Sequence, residues 1–143
     1  MAGNVEKLTQ VTEEIQKKIS QAIELFLEKS ALHAEAKLSE IFKTEGRALN
    51  VEWAPLKEAY LKWKLKKGFS EKKLHRTTTL AQSFTSKVSG LEAVVGTPVP
   101  YSIYHEFGTR KMPARPFIQP VAKYMETIGL KKIFESTFRE VFR

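Results

Sequence analysis

The side chains in this 143-residue chain that could do chemistry are few and scattered. Of three histidines, His33, His75 and His105, only His105 has an acidic neighbour, Glu106. A His-Glu pair holds zinc only when further ligands join it, and neither His33 nor His75 sits at a ligand spacing from it. No metal site is expected. The run Thr77-Thr78-Thr79 offers hydroxyls, but no base or orienting carboxylate lies nearby, so capping of a turn at Leu80 explains it better than nucleophilic attack. Cysteine is absent, and all 16 acidic residues are glutamate. Without cysteine there is no disulfide or thiolate, and without aspartate no Ser-His-Asp triad, Asp-based magnesium site or EF-hand. The 7 glycines are dispersed singly and form no phosphate cradle. Neither catalysis nor a cofactor is expected.

Binding chemistry is better served, by residues 100–120. Tyr101, Tyr104 and Phe107 recur at a spacing that gathers three rings on one side of a helical turn, which Gly108 ends. Core packing and an interface role both suit these rings and Phe117. The loop then reads Gly108, Thr109, Arg110, Lys111, Met112, Pro113, Ala114, Arg115, Pro116, Phe117. Each proline fixes its own φ and pushes the residue before it, Met112 or Arg115, into extended geometry. The expectation is a stiff arm that projects Arg110, Lys111 and Arg115, loses little entropy on docking, and recognises carboxylates on a partner.

The net charge of +8 is unevenly placed: residues 47–116 hold thirteen Lys/Arg against five Glu, while residues 1–46 hold six against eight. Lys62, Lys64, Lys66 and Lys67, followed by Lys72, Lys73 and Arg76, form a basic segment that could neutralise phosphates. A nucleic-acid-binding domain using residues 57–76 is therefore the alternative reading. A solvated lysine face is the more economical one, because lysines outnumber arginines there and no named DNA-binding motif appears.

These residues need elements to position them. A 42% hydrophobic and 28% charged composition is that of a globular chain, and its length suits one domain. Over residues 4–45, Leu8, Val11, Ile15, Ile19, Ala22 and Phe26 and then Leu27, Ala31, Ala34, Leu38 and Ile41 mark helical stripes. They predict one long helix, or two with a kink near Lys29 and Ser30, stopped at Gly46. Forty residues of helix rise about 60 Å, so such a helix must fold back or reach a neighbour. A second helix is predicted over 53–67, with Pro55 in its first turn and Leu56, Tyr60 and Trp63 on one face. Trp53, Tyr60, Trp63 and Phe107 are expected to form a buried cluster. A short helical turn at 80–84 leads to a hairpin, 86–88 and 91–95, turning at Ser89-Gly90, with Gly96 as a bulge or exit. Residues 117–142 read as a helix that Gly129 kinks. No stretch approaches the length of a membrane span, so a cytoplasmic protein is expected.

The motifs in the middle of the chain resemble a known family. His105-Glu106-Phe107-Gly108-Thr109-Arg110 followed by Met112-Pro113-Ala114-Arg115-Pro116-Phe117 is similar to the signature of bacteriophage virion morphogenesis and tail-completion proteins. Trp53-Ala54-Pro55-Leu56 and Leu74-His75-Arg76-Thr77-Thr78-Thr79-Leu80-Ala81-Gln82-Ser83 resemble two further blocks of that family, in order, with Thr78 where the family usually has glycine. The resemblance spans roughly residues 53–120. It implies a structural, non-enzymatic protein of the virion neck, made in the host bacterial cytoplasm. Its copies would form a homo-oligomeric ring, either beforehand or only on assembly, and would meet head-connector and tail-tube proteins, with DNA contact secondary. The expected fold is α+β, with a long N-terminal helix and a C-terminal helix packed on a small antiparallel sheet and a projecting proline-rich loop. One domain covers 1–143: a helix or helix pair over 1–46, a core with hairpin and arm over 47–120, and a C-terminal helix over 121–143.

Overall fold

The structure, a computed structural model, describes residues 2–69, Lys73 and 79–143. Helix α1 (Ala2–Lys43) is continuous through Lys29 and Ser30, since nothing after Gly3 interrupts its hydrogen-bond ladder. It ends on two residues of positive φ, Glu45 at 54° and Gly46 at 93°. There the Gly46 N–H donates to the Ile41 carbonyl at 2.8 Å and satisfies an orphan carbonyl of the last turn. A side chain at Gly46 would run into the Val51 carbonyl, so glycine is required. A 3-10 turn over Arg47–Leu49 then brings Trp53 back beneath α1.

The core forms on the second half of α1, where Ala34, Leu38, Ile41 and Phe42 meet Trp53, Leu80, Phe117, Val121 and Met125. Phe42 is its hub, with ring centroids of Trp53, Phe84 and Phe117 at 5.4, 5.6 and 5.2 Å. Aromatic pairs at such separations add to the stabilisation from area burial alone.

Strands β1 (Thr85–Ser89) and β2 (Glu92–Gly96) pair antiparallel and lie against α1. Their turn is Gly90-Leu91, not Ser89-Gly90. Gly90, at φ 57°, takes the first central position, where a type II′ turn requires positive φ. Because side chains alternate faces, this register places Val88, Ala93 and Val95 on one, half-buried face and leaves Val94 exposed.

The C-terminal helix runs as α4 (Ile118–Tyr124), a π-helical turn (Met125–Gly129) and α5 (Leu130–Val141). The expected kink at Gly129 is this π turn, where an added Cβ would lie 2.9 Å from Met125 Sδ. Helix α5 packs along α1, with Phe26 edge-on to Phe134 at 5.7 Å and Lys29 bonded to Glu140 at 2.6 Å. From the end of α4, Tyr124 Oη lies 3.0 Å from His33 Nε2 of α1. The fold is the α+β arrangement expected: long N-terminal helix, C-terminal helix and small antiparallel sheet.

The second helix departs from expectation. It covers Glu58–Lys66, here α2, and residues 51–57 are non-helical. Trp53 is pulled away by its indole N–H, which donates to the Pro116 carbonyl at 2.8 Å, and the Ala54 and Pro55 carbonyls accept from Arg115 instead of serving a helix. Only Trp53 of the expected buried cluster is inside, at 1% exposed. Tyr60 and Trp63 stack on each other at the surface, and Phe107 is 75% exposed. Helix α2 instead turns Lys64 inward. Thr77 and Thr78, two of the three residues read as a cap, lie outside the described residues, as does His75.

Candidate functional site: the arm and the cavity beneath it

The arm begins on helix α3 (Ser102–Phe107), which leaves Tyr101, Tyr104 and Phe107 exposed. Gly108 then adopts φ 74° and ψ 174°, a region open essentially to glycine alone, and an added Cβ would lie 2.7 Å from the Ala114 nitrogen. Thr109 and Met112 exchange backbone hydrogen bonds, at 2.8 Å from the Thr109 N–H and 3.3 Å from the Met112 N–H. The outward part is therefore a tight hairpin with Arg110 and Lys111 exposed at its tip, rather than an extended strand.

The return limb turns inward. The Arg115 backbone N–H donates to the His105 carbonyl at 2.7 Å, its Nε to Ala54 O at 2.9 Å and its Nη2 to Pro55 O at 3.1 Å. Arg115 is 6% exposed, so the expectation that it projects to meet a partner is corrected. The two carbonyls of the segment before α2 capture its guanidinium. Phe117, also placed on the arm by its sequence, is a core residue, because its ring completes the Phe42 cluster.

Glu106 was missed as a structural residue. Its Oε2 accepts from the N–H groups of Phe117 at 2.8 Å and Ile118 at 3.0 Å, and its Oε1 from Gln119 at 2.9 Å. A carboxylate thus satisfies the orphan donors at the start of α4 and sits at the positive end of its dipole. No local sequence signal announces a cap that arrives from another helix. Both oxygens are engaged, and no cluster of three or more metal-ligating side chains occurs among the described residues.

Between the arm, α2 and α3 lies a cavity of about 620 Å³, within the usual range for ligand pockets. Tyr60, Tyr101, Met112 and Pro113 supply apolar wall, and Lys57, Lys64, His105, Lys111 and Arg115 also line it. His105 Nδ1 is buried without a hydrogen-bond partner. Burial, and then the Arg115 charge, hold this imidazole below its ordinary value. Burial likewise pulls Arg115 down, against a smaller opposing effect of Tyr60.

The basic segment is less of a surface than its sequence implied. Lys64 is 1% exposed, its ammonium 5.9 Å from the Tyr60 ring centroid, which corrects its assignment as a contact for phosphates. Lys62 pairs with Glu58 at 3.0 Å, and the backbone N–H of Lys73 donates to Glu45 Oε1 at 2.9 Å. Lys66 and Lys67 are exposed, whereas Lys72 and Arg76 lie outside the described residues.

The sequence pattern of the phage virion morphogenesis family matches residues 4–132, which takes in α1 as well as the arm and most of the C-terminal helix. The chain belongs to this family. It is also similar to an uncharacterized protein of Methanocaldococcus jannaschii, 37% identical over 97 residues that make up 64% of this chain and 71% of the relative. No solved structure gives a significant match. Membership of the phage virion morphogenesis family gives the chain a structural role in phage assembly. Among the described residues, no helix is long and apolar enough to cross a membrane.

Proposed function

We propose that this family member is a tail-completion protein that joins tail to head in the virion neck, through contacts between its own copies and with connector and tail-tube proteins. The observation that carries this reading is the first half of α1. Val5, Leu8, Thr12, Ile15 and Ile19 follow a strict three-four spacing that continues into Ala22 and Phe26. Ala22 is buried and Phe26 packs on Phe134 of α5, but Leu8 is 68% exposed and Val5, Ile15 and Ile19 are exposed with it. The Thr12 hydroxyl donates to the Leu8 carbonyl at 2.8 Å, so it brings no unsatisfied group to the seam. Glu6, Lys7, Glu13, Glu14 and Lys17 fall outside the seam. An apolar seam covered along one half and bare along the other supports a helix from a second copy. The exposed tip of the arm, Arg110 and Lys111, offers a different patch, and a ring needs two complementary ones on each subunit.

The test is a Leu8→Lys, Ile15→Lys double variant supplied to a phage lacking its own copy. Unchanged melting with heads and tails left separate is the expected result. Normal yield of infectious particles overturns the reading. Mass in solution by light scattering then distinguishes a protein that is already oligomeric from one that associates only on the assembled neck.

A further inference from the structure

Arg115 breaks a rule that folded proteins keep. Buried charges are normally paired, because an uncompensated ion in a low-dielectric interior is costly. Arg115 is 6% exposed, yet among the described residues its side-chain hydrogen bonds go to two neutral carbonyls. Among the described residues it forms no ion pair, and neither do Lys57 and Lys111, which line the same cavity. Among the described residues lining that cavity there is no acidic side chain. Four cations, Lys57, Lys64, Lys111 and Arg115, therefore line one concave space whose described lining includes no carboxylate, together with an imidazole whose Nδ1 has no hydrogen-bond partner.

We infer that this cavity is a socket for a carboxylate: it receives an acidic side chain, flanked by apolar residues, from an extended segment of a partner protein. The guanidinium is a planar fork whose remaining N–H groups suit a carboxylate, and such charge-assisted bonds are roughly twice as strong as neutral ones. Tyr60, Tyr101, Met112 and Pro113 give the segment's apolar residues something to cover, and by excluding water they strengthen the charge pair. The same walls disfavour nucleic acid, since a duplex presents its phosphates on a convex, hydrated ridge that does not enter an apolar-walled cavity. This site is separate from the bare seam of α1, so it does not depend on how the copies associate.

The experiment is an NMR titration of the full chain with N-acetyl-Leu-Glu-Leu-amide and, in parallel, its isosteric Leu-Gln-Leu counterpart, inorganic phosphate and a short DNA duplex. The Glu peptide is expected to shift the Arg115 Nε–H, His105 and Tyr101 resonances saturably, and to bind about tenfold or more tightly than the Gln peptide. Lys111 sits at the exposed tip, so Lys111→Gln should leave melting unchanged and weaken the Glu peptide about threefold or more. Equal binding of the two peptides, or no saturable shift with any probe, overturns the inference. Tighter binding of phosphate or duplex DNA at the same resonances overturns it in favour of a phosphate ligand. Undiminished binding to the Lys111 variant places the peptide elsewhere.

Discussion

Arg115 gives its guanidinium to the carbonyls of Ala54 and Pro55, whereas Arg110, on the same loop, makes no side-chain hydrogen bond or ion pair among the described residues. The two residues are therefore expected to separate under mutation. Arg115→Ala leaves two carbonyls unpaired and a void beside Tyr60, a loss on the order of 2–3 kcal/mol in urea unfolding. Arg110→Ala should stay within about 0.5 kcal/mol, as surface changes do. Equal losses would contradict the clamp. His105 makes a second prediction at this scale. Its folded pKa lies below the ordinary 6.5 because burial, and then Arg115, disfavour the imidazolium. The unfolded chain therefore binds more protons between the two values, and stability rises with pH there. Melting temperature should be level above about pH 6.5 and fall as the pH drops toward the lowered value. Burial, with Lys37 next, lowers His33 in the same direction, so His105→Asn should flatten the profile in part and not abolish it. An unchanged profile in that variant would assign the whole effect elsewhere.

Helix α4 starts without a side-chain cap of its own, and its first donors are met by Glu106 from α3. One carboxylate thus welds two elements that flank the arm, fixing where the hairpin leaves the fold and where it returns. Glu106→Ala should cost on the order of 2–4 kcal/mol, because amides at and beside the buried Phe117 lose charged acceptors that water does not replace there. Glu106→Gln should fall between wild type and alanine, since its amide keeps one neutral acceptor and sets an N–H against a donor. Denaturant unfolding of the pair checks this, and an alanine variant as stable as wild type would mean that the helix start is satisfied by solvent. The extended run before α2 belongs to the same assembly: Trp53 anchors it in the core, Arg115 holds its carbonyls, and α2 is left peripheral with its Tyr60–Trp63 stack outward.

At the largest scale, the described residues form a helix of about 60 Å with the other described elements gathered on one half of it. Every residue of α1 from Ala2 to Gln21 is exposed, while Ala34, Leu38, Ile41 and Phe42 are buried in the core. Local opening free energies should follow that division. In the free protein, amides of the first half of α1 are expected to exchange hydrogen quickly, through local fraying. Those near Leu38 and Ile41 should exchange only with global unfolding. Hydrogen-exchange mass spectrometry or NMR makes the comparison. Strong protection of the first half at low concentration would require an intramolecular partner absent from this structure; protection that grows with concentration is what pairing of the bare seam predicts.

Much of this arrangement is legible in the sequence, because the signals are local. The three-four stripes of α1, the stop at Gly46, the hairpin around Gly90 and the helical turn that Gly108 ends all follow from periodicity and from backbone freedom at single glycines. The motifs around Trp53 and from His105 to Phe117 likewise point to the phage virion morphogenesis family without any coordinates. Tertiary structure alone decided what those motif residues do. Arg115 carries the same charge as Arg110, and nothing in the loop says that carbonyls at Ala54 and Pro55 will draw one inward and leave the other in solvent. Glu106 reads as half of a metal pair until the start of α4 is brought to it. Lys64 reads as surface by its type until α2 is set down with that face inward. In each case the deciding partner is distant in the chain, and a polar group's role depends on which unsatisfied backbone group or unfilled space the folded chain brings within hydrogen-bonding reach.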